Sequence, residues 1–327
     1  MAVERRRGVD GRGRKSDKKP TVSIIGAGRL GCALALALAR RGYTIEAVVA
    51  RNVRHAKRAA ELLGTHPLAL ASTQLKQLPR SDILFITTPD DHIREVAAEL
   101  AAMIDSGRRK KNSVKEEGGN RGRTALHASG ALSSDALQSM HDAGFATGSM
   151  HPLVSVSDSV HGASSLSSAF FCVEGTRGAV AVARKLVRVL GAQSFSISAQ
   201  DKVLYHAAAV TASGHMTALF DIAMEMLARC GLAPHRARKV LLPLLKSTLE
   251  NLYTFDPARA LTGTFARADT ATVRRHLAAI RSAALPEALA AYQILGQRSL
   301  RLAKAAGASS DALKEIEEEL KSRSQDE

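Results

Sequence analysis

Six residues, Gly26-Ala27-Gly28-Arg29-Leu30-Gly31, offer the first chemistry along the chain. They follow a short apolar run, Thr21–Ile25, and lead into an Ala/Leu-rich segment that reaches Arg40. In this strand–turn–helix order each glycine has its own role. Gly26 permits a tight turn, Gly28 removes a Cβ that would obstruct phosphates, and Gly31 lets helix and strand pack closely. The helix start adds free N–H groups and a partial positive charge. The turn is expected to hold a dinucleotide by its pyrophosphate.

The end of the next strand-like run, Tyr43–Ala50, is where such a domain selects its cofactor. An Asp or Glu there would accept bonds from the ribose hydroxyls of NAD. This chain instead has Arg51-Asn52-Val53-Arg54-His55-Ala56-Lys57, with no acid. Arg51 and Arg54, with His55 or Lys57, can clamp a 2′-phosphate through charge-assisted bonds, with Asn52 between the two arginines. The expected cofactor is therefore NADP(H). A further apolar run, Ser81–Thr88, ends in Thr88-Pro89, at the sheet edge where open α/β folds bind ligands.

A hydride-transferring enzyme also needs a proton donor, a substrate anchor and a dry pocket. Lys202 and His206 are four residues apart on an expected helix and so share a face. His127 ends a fifth strand, followed by Ser129 and Gly130, which suit a nicotinamide amide or a substrate oxygen. His151 begins His-Pro-Leu153, expected on a loop between two strands. Arg267 is the candidate for a bidentate grip on a substrate carboxylate. No His, Cys or acid cluster has metal-ligand spacing, and no GxSxG nucleophile motif is present.

These residues need a scaffold, and the patterning supplies two kinds. Residues 21–199 alternate strand-like and helical runs, read as two βαβαβ halves of a Rossmann domain with a polar insertion at 105–123. Residues 200–327 have no strand-like runs. They read as an all-helical domain whose first helix starts near Ser198 and continues to Cys230. Pro234, Asp269 or Thr270, Pro286 and Ser309 or Ser310 mark later helix starts. The fold class is α/β, a doubly wound and mostly parallel sheet followed by helices.

Composition narrows the classes further. With 45% hydrophobic and 24% charged residues in 327, the chain reads as globular and soluble. No apolar run reaches the ~20 residues of a membrane helix. Residues 1–20 are basic, lack a signal-peptide apolar core and read as a disordered tail. Cys32, Cys172 and Cys230 lie far apart, which suits a reducing cytoplasm. The net charge is +15, of which residues 1–20 hold +5 and 105–123 hold +4. With no aromatic interleaved there, no specific nucleic-acid surface is expected.

Together the two halves resemble the 6-phosphogluconate-dehydrogenase-like reductases, which include ketopantoate, pyrroline-carboxylate and prephenate enzymes. More narrowly, they are similar to Rossmann-like proteins with a C-terminal domain of unknown function. The matching segments are His127-Ala-Ser-Gly130, Gly148-Ser-Met-His-Pro-Leu153, Val173-Glu-Gly175, Lys202-x-x-Tyr205-His206, Ala260-Leu-Thr-Gly263 and Arg267-x-Asp269. The resemblance implies an oxidoreductase with Lys202 as acid/base, His206 orienting the substrate and His151 on a substrate hydroxyl. It also implies a homodimer. The expected reaction is NADP(H)-dependent hydride transfer to a small 2-oxoacid or imine, as in ketopantoate reductase. Alternatives are a prephenate-type dehydrogenase or a noncatalytic NADP-binding sensor or scaffold. The family pattern has Pro and Gly where this chain has Thr264 and Ala268, and Asn near Gly214 or His215. Those departures bear on whether catalysis is retained.

Overall fold

The computed structural model describes residues 19–110, 120 and 122–322. The expected basic tail lies almost wholly outside these residues, as does the middle of the 105–123 insertion. Contacts divide the chain into two compact units that meet between Ala209 and Val210, ten residues beyond the change of character at 199/200.

The first unit is built on one eight-stranded sheet. Its elements run β1 (Val22–Ile25), α1 (Arg29–Arg40), β2 (Ile45–Ala50), α2 (Val53–Leu63), β3 (Leu68–Ala71), β4 (Ile83–Ile86) and α3 (Asp90–Lys110). They continue as β5 (Thr124–His127), α4 (Gln138–Asp142), β6 (Ala146–Leu153), α5 (Ser159–Ser165), β7 (Phe170–Gly175), α6 (Arg177–Leu190) and β8 (Gln193–Phe195). The order β3-β2-β1-β4-β5-β6-β7-β8 places the topological switch between β1 and β4. Val22, Ile24 and Ile25 of β1 and all four residues of β4 are essentially inaccessible, as strands covered on both faces must be. One core lies between the sheet and α1, α5 and α6; the other lies beneath α3 and α4.

Three expectations for this unit change. The second half of the sheet is βαβαβ only through β6, because β7 runs antiparallel to it. His151-Pro152-Leu153 is not a loop: it continues β6, with His151 opposite Cys172 and Pro152 opposite Phe171. And α3 runs on through Lys110, into what read as a polar insertion.

After β8, α7 (Lys202–Ala212) carries the chain from the first unit into the second. The single helix expected to reach Cys230 is broken, since α8 (Gly214–Arg229) starts afresh after Ser213. The weak helix formers Thr211, Ser213 and Gly214 sit at the break. The second unit continues with α9 (Pro234–Thr254), α10 (Pro257–Ala260), α11 (Thr270–Ser282), α12 (Pro286–Ala305) and α13 (Ser310–Lys321). The Asp269 carboxylate caps α11 by accepting from the Thr272 N–H at 3.0 Å. The main core of this unit is formed by Val273 and Leu277 of α11, Leu300 and Ala303 of α12, and Leu313, Ile316 and Leu320 of α13.

Candidate active site

The parallel strands β1, β4, β5 and β6 end on one edge of the sheet, and the candidate residues of the first unit gather there. At the first turn, Gly26 has φ 108°. A Cβ on it would stand 2.6 Å from the Thr87 carbonyl carbon. A Cβ on Gly31 would overlap the Gly26 carbonyl oxygen and lie 2.5 Å from Thr87 Oγ1. Gly28 differs: nothing lies within 4 Å of where its Cβ would be. Two glycines thus close the turn and the third leaves its face open. Gly28 also starts α1 without a side-chain cap, and Ala27, Arg29 and Leu30 line the turn between the glycines.

Thr87 locks β4 to this turn by donating from Oγ1 to the Gly26 carbonyl at 2.7 Å. Its neighbour Thr88, next to Pro89, has a buried Oγ1 without a hydrogen-bond partner. A buried hydroxyl normally finds a partner, so this atom marks a place for a polar ligand group. Arg51 and Arg54 are exposed at the β2 end. Asn52 serves the fold instead, since its Oδ1 caps α2 by accepting from the His55 N–H at 3.0 Å.

The strand register assembles the second cluster. Ser149 and His151 alternate onto one face of β6, and their antiparallel partners Glu174 and Cys172 share it. Lys202, Tyr205 and His206 reach this cluster from α7. Lys202 is 1% exposed, and its Nζ donates to Ser149 Oγ at 2.8 Å and to the Ser129 carbonyl at 3.1 Å. Burial pushes the Lys202 pKa down, and the nearby Cys172, Glu174 and Asp90 oppose that shift. With two of its three protons committed and almost no surface, Lys202 is an internal group and not one that meets bulk substrate.

His151 Nδ1 lies 2.7 Å from the Tyr205 hydroxyl. Burial, then the charge of Lys202, lowers the His151 pKa to about 4, so the ring is neutral at pH 7. Gly130 sits beneath the pair of histidines. A Cβ there would overlap His206 Nδ1 and stand 2.8 Å from His151 Nε2. Both ring nitrogens therefore lie against Gly130, where only a glycine leaves room for them. His206 Nδ1 is buried and has no partner, the second such atom of the first unit among the described residues.

Two expected site residues prove to be internal. His127 is fully buried: its Nδ1 accepts from the Ser129 N–H at 3.2 Å and its Nε2 donates to the Ser133 carbonyl at 3.0 Å. Burial depresses its pKa to about 4. With both nitrogens committed, it shapes the loop after β5 and is not a proton donor. The Ser129 hydroxyl is likewise filled. It donates to Asp90 Oδ2 at 2.8 Å and accepts from the N–H groups of Leu132 and Ala131 at 2.9 and 3.2 Å. What Ser129 contributes is its carbonyl, on Lys202. Arg267 belongs to the second unit, exposed on the turn before α11.

Tyr205, Ser149 and Cys172 were not among the expected residues. Ser149 was within reach of the sequence, since strand period two puts it on the His151 face. Tyr205 lies three residues after Lys202, one helical turn along the same face. Cys172 required the β6–β7 register. Among the described residues no group of His, Cys, Asp and Glu could hold a metal ion. Likewise no helix there is long and apolar enough to cross a membrane.

Known proteins place this geometry in context. No curated protein matches the chain by sequence. Several solved structures share its fold. A Bacteroides fragilis protein provisionally named an NADP oxidoreductase is 19% identical with a TM-score of 0.67, over 88% of this chain and 100% of its own. An imine reductase from Myxococcus stipitatus, in complex with NADP+, is 17% identical with a TM-score of 0.58, over 91% and 99%. A pyrroline-5-carboxylate reductase from Coxiella burnetii is 12% identical with a TM-score of 0.53, over 93% and 99%. Two family models match in succession: a Rossmann-like domain over residues 9–152 and a domain of unknown function, DUF2520, over residues 169–299.

Proposed function

We propose that the protein is an NADP(H)-dependent oxidoreductase that reduces a small 2-oxoacid or imine. The observation that supports this reading is a glycine turn left open at Gly28, together with two buried, unpartnered atoms, Thr88 Oγ1 after β4 and His206 Nδ1 against Gly130 after β5. The residues fit the cofactor. Gly26–Gly31 would hold its pyrophosphate, Arg51 and Arg54 its 2′-phosphate, and Thr88 with Pro89 and Gly130 its nicotinamide half. The bound nicotinamide would supply a hydride. The names of the solved neighbours, which include NADP complexes, favour the same cofactor.

The chain's own groups supply the rest. His151 and His206, side by side against Gly130, would contact the oxygen or nitrogen of the reducible double bond. Lys202, its pKa lowered by burial, would act behind them as the proton reserve, through Ser149 Oγ. The homodimer implied by the family resemblance belongs to this reading. Val240, Leu242 and Leu244 of α9 are exposed in the single chain, and a second copy would cover them.

The test is a fluorescence titration with NADPH and NADH, followed by absorbance at the nicotinamide band on a panel of 2-oxoacids and cyclic imines. The reading expects tighter NADPH than NADH binding and turnover on at least one panel member. Absence of NADPH binding would sink it. Tight binding with no turnover would identify a sensor instead.

A further inference from the structure

The ring proton of His151 decides what that histidine can do, and its surroundings specify where the proton sits. A neutral imidazole carries one N–H, and the tautomer is set by the bond its other nitrogen makes. The partner of Nδ1 is the Tyr205 hydroxyl at 2.7 Å. That hydroxyl has one proton, and His151 Nδ1 is the acceptor within reach of it. If Nδ1 carried the ring proton, it would donate to the Tyr205 oxygen and leave the half-buried hydroxyl's own proton without that acceptor. The 2.7 Å bond is therefore Tyr205 O–H donating to His151 Nδ1.

We infer that Tyr205 is a positioning residue that fixes the His151 proton on Nε2, the nitrogen lying against Gly130. This deepens the proposed reductase reading. It makes His151 a hydrogen-bond donor to its ligand, so the subsite selects a group with a lone pair to offer, such as a carbonyl oxygen or an imine nitrogen. The arrangement rests on two elements far apart in sequence, β6 and α7, held in register by β7. The charged or titratable groups facing the ring are Lys202, His206 and His127, and the charge of each works against protonating it. The tautomer is accordingly a property of the neutral ring over the ordinary pH range.

The experiment is ¹⁵N NMR of the full-length protein labelled at histidine, with the His151 resonances identified by their loss in His151→Gln. The expected wild-type signature is a protonated Nε2 and a bare Nδ1, unchanged from pH 6 to 8. In Tyr205→Phe the His151 signals should move to an average of the two tautomers. Those of His127, whose two ring bonds are local, should stay in place and report that the variant is folded. A wild-type His151 protonated on Nδ1 would overturn the inference. So would an Nε2–H signature that survives in Tyr205→Phe. Because the readout needs neither cofactor nor substrate, it stands apart from the reductase reading. Failure of NADPH to bind would leave this result intact, and the converse holds.

Discussion

The two units use apolar residues in opposite ways. In α1 of the first unit, eight consecutive residues from Gly31 to Leu38 are buried. In α8 of the second unit none is, and in the 21 residues of α9 only Ala237 is. Yet α8 and α9 also carry large apolar side chains: Leu244 is 65% exposed and Tyr253 92%. α1 packs on a sheet within its own unit, whereas α8 turns only part of its apolar surface inward, with Ile222 and Met226 against Ile280, Leu285 and Ala288, and most of α9 stays exposed in the single chain. In the second unit α11, α12 and α13 alone make a substantial core.

The largest test of this contrast is at the glycine turn. Gly31→Ala drives a methyl into the Gly26 carbonyl oxygen and Thr87. Overpacking of this kind costs about 3 kcal/mol, a fall in Tm of roughly 6–12 °C by calorimetry. Gly28→Ala meets open space, so its Tm should change by less than about 0.5 kcal/mol in equivalent stability. Its NADPH affinity should instead fall about tenfold, because the Cβ stands where phosphates approach. Equal Tm losses for the two would break the assignment of separate roles.

Next in size is the face of α9. Leu244→Glu should weaken self-association by about a hundredfold, near 3 kcal/mol, while the melting of the sheet unit is unchanged. Light scattering on both proteins checks this. An unmodified chain that stays monomeric at tens of micromolar would remove the second copy as the partner.

A third outcome concerns pH. His127 titrates at about 4 when folded, against the 6.5 ordinary for an exposed ring. The unfolded chain therefore takes up a proton first on acidification. The associated stability is complete above pH 6.5, is lost as pH falls from 6.5 toward 4, and levels off below. Between pH 7 and 5 this amounts to about 2 kcal/mol for one such buried ring. His127→Gln should have a lower Tm at pH 7 and a shallower decline to pH 5. An unchanged slope would mean that the ring is not held neutral inside the fold.

The smallest effect lies in the second unit. Ala268 has φ 50°, in the left-handed region that glycine tolerates best. Ala268→Gly relieves this and should add roughly 0.5–1 kcal/mol to stability, seen as a rise in denaturation midpoint.

Much of the fold was legible because local rules govern it. Apolar runs too short for helices marked β1, β4 and β5, glycine spacing marked the turn at 26–31, and Asp269 announced α11. Where the reading failed, a local rule was overruled. His151-Pro152-Leu153 was expected on a loop, yet pairing with β7 extends β6 past Pro152, which has no N–H to give. The helix expected from Ser198 to Cys230 ignored the Thr-Ala-Ser-Gly run that breaks it. The histidines show a further limit. His127 and His151 stand at similar places on neighbouring strands, and residue type cannot distinguish them.

The sequence by itself determined the strand–turn–helix unit, the basic end of β2, the α/β-then-helical plan and the residues that share a face through period two or 3.6. Those properties depend on neighbours a few residues apart. Only the tertiary structure decided that His127 spends both ring nitrogens on its own loop, while His151 and His206 lie against Gly130. It alone placed Tyr205, 54 residues from His151 in the chain, on the ring's other nitrogen. A side chain's proton is assigned by the partner it touches, and such partners are brought together by the register of strands and the packing of a helix against them.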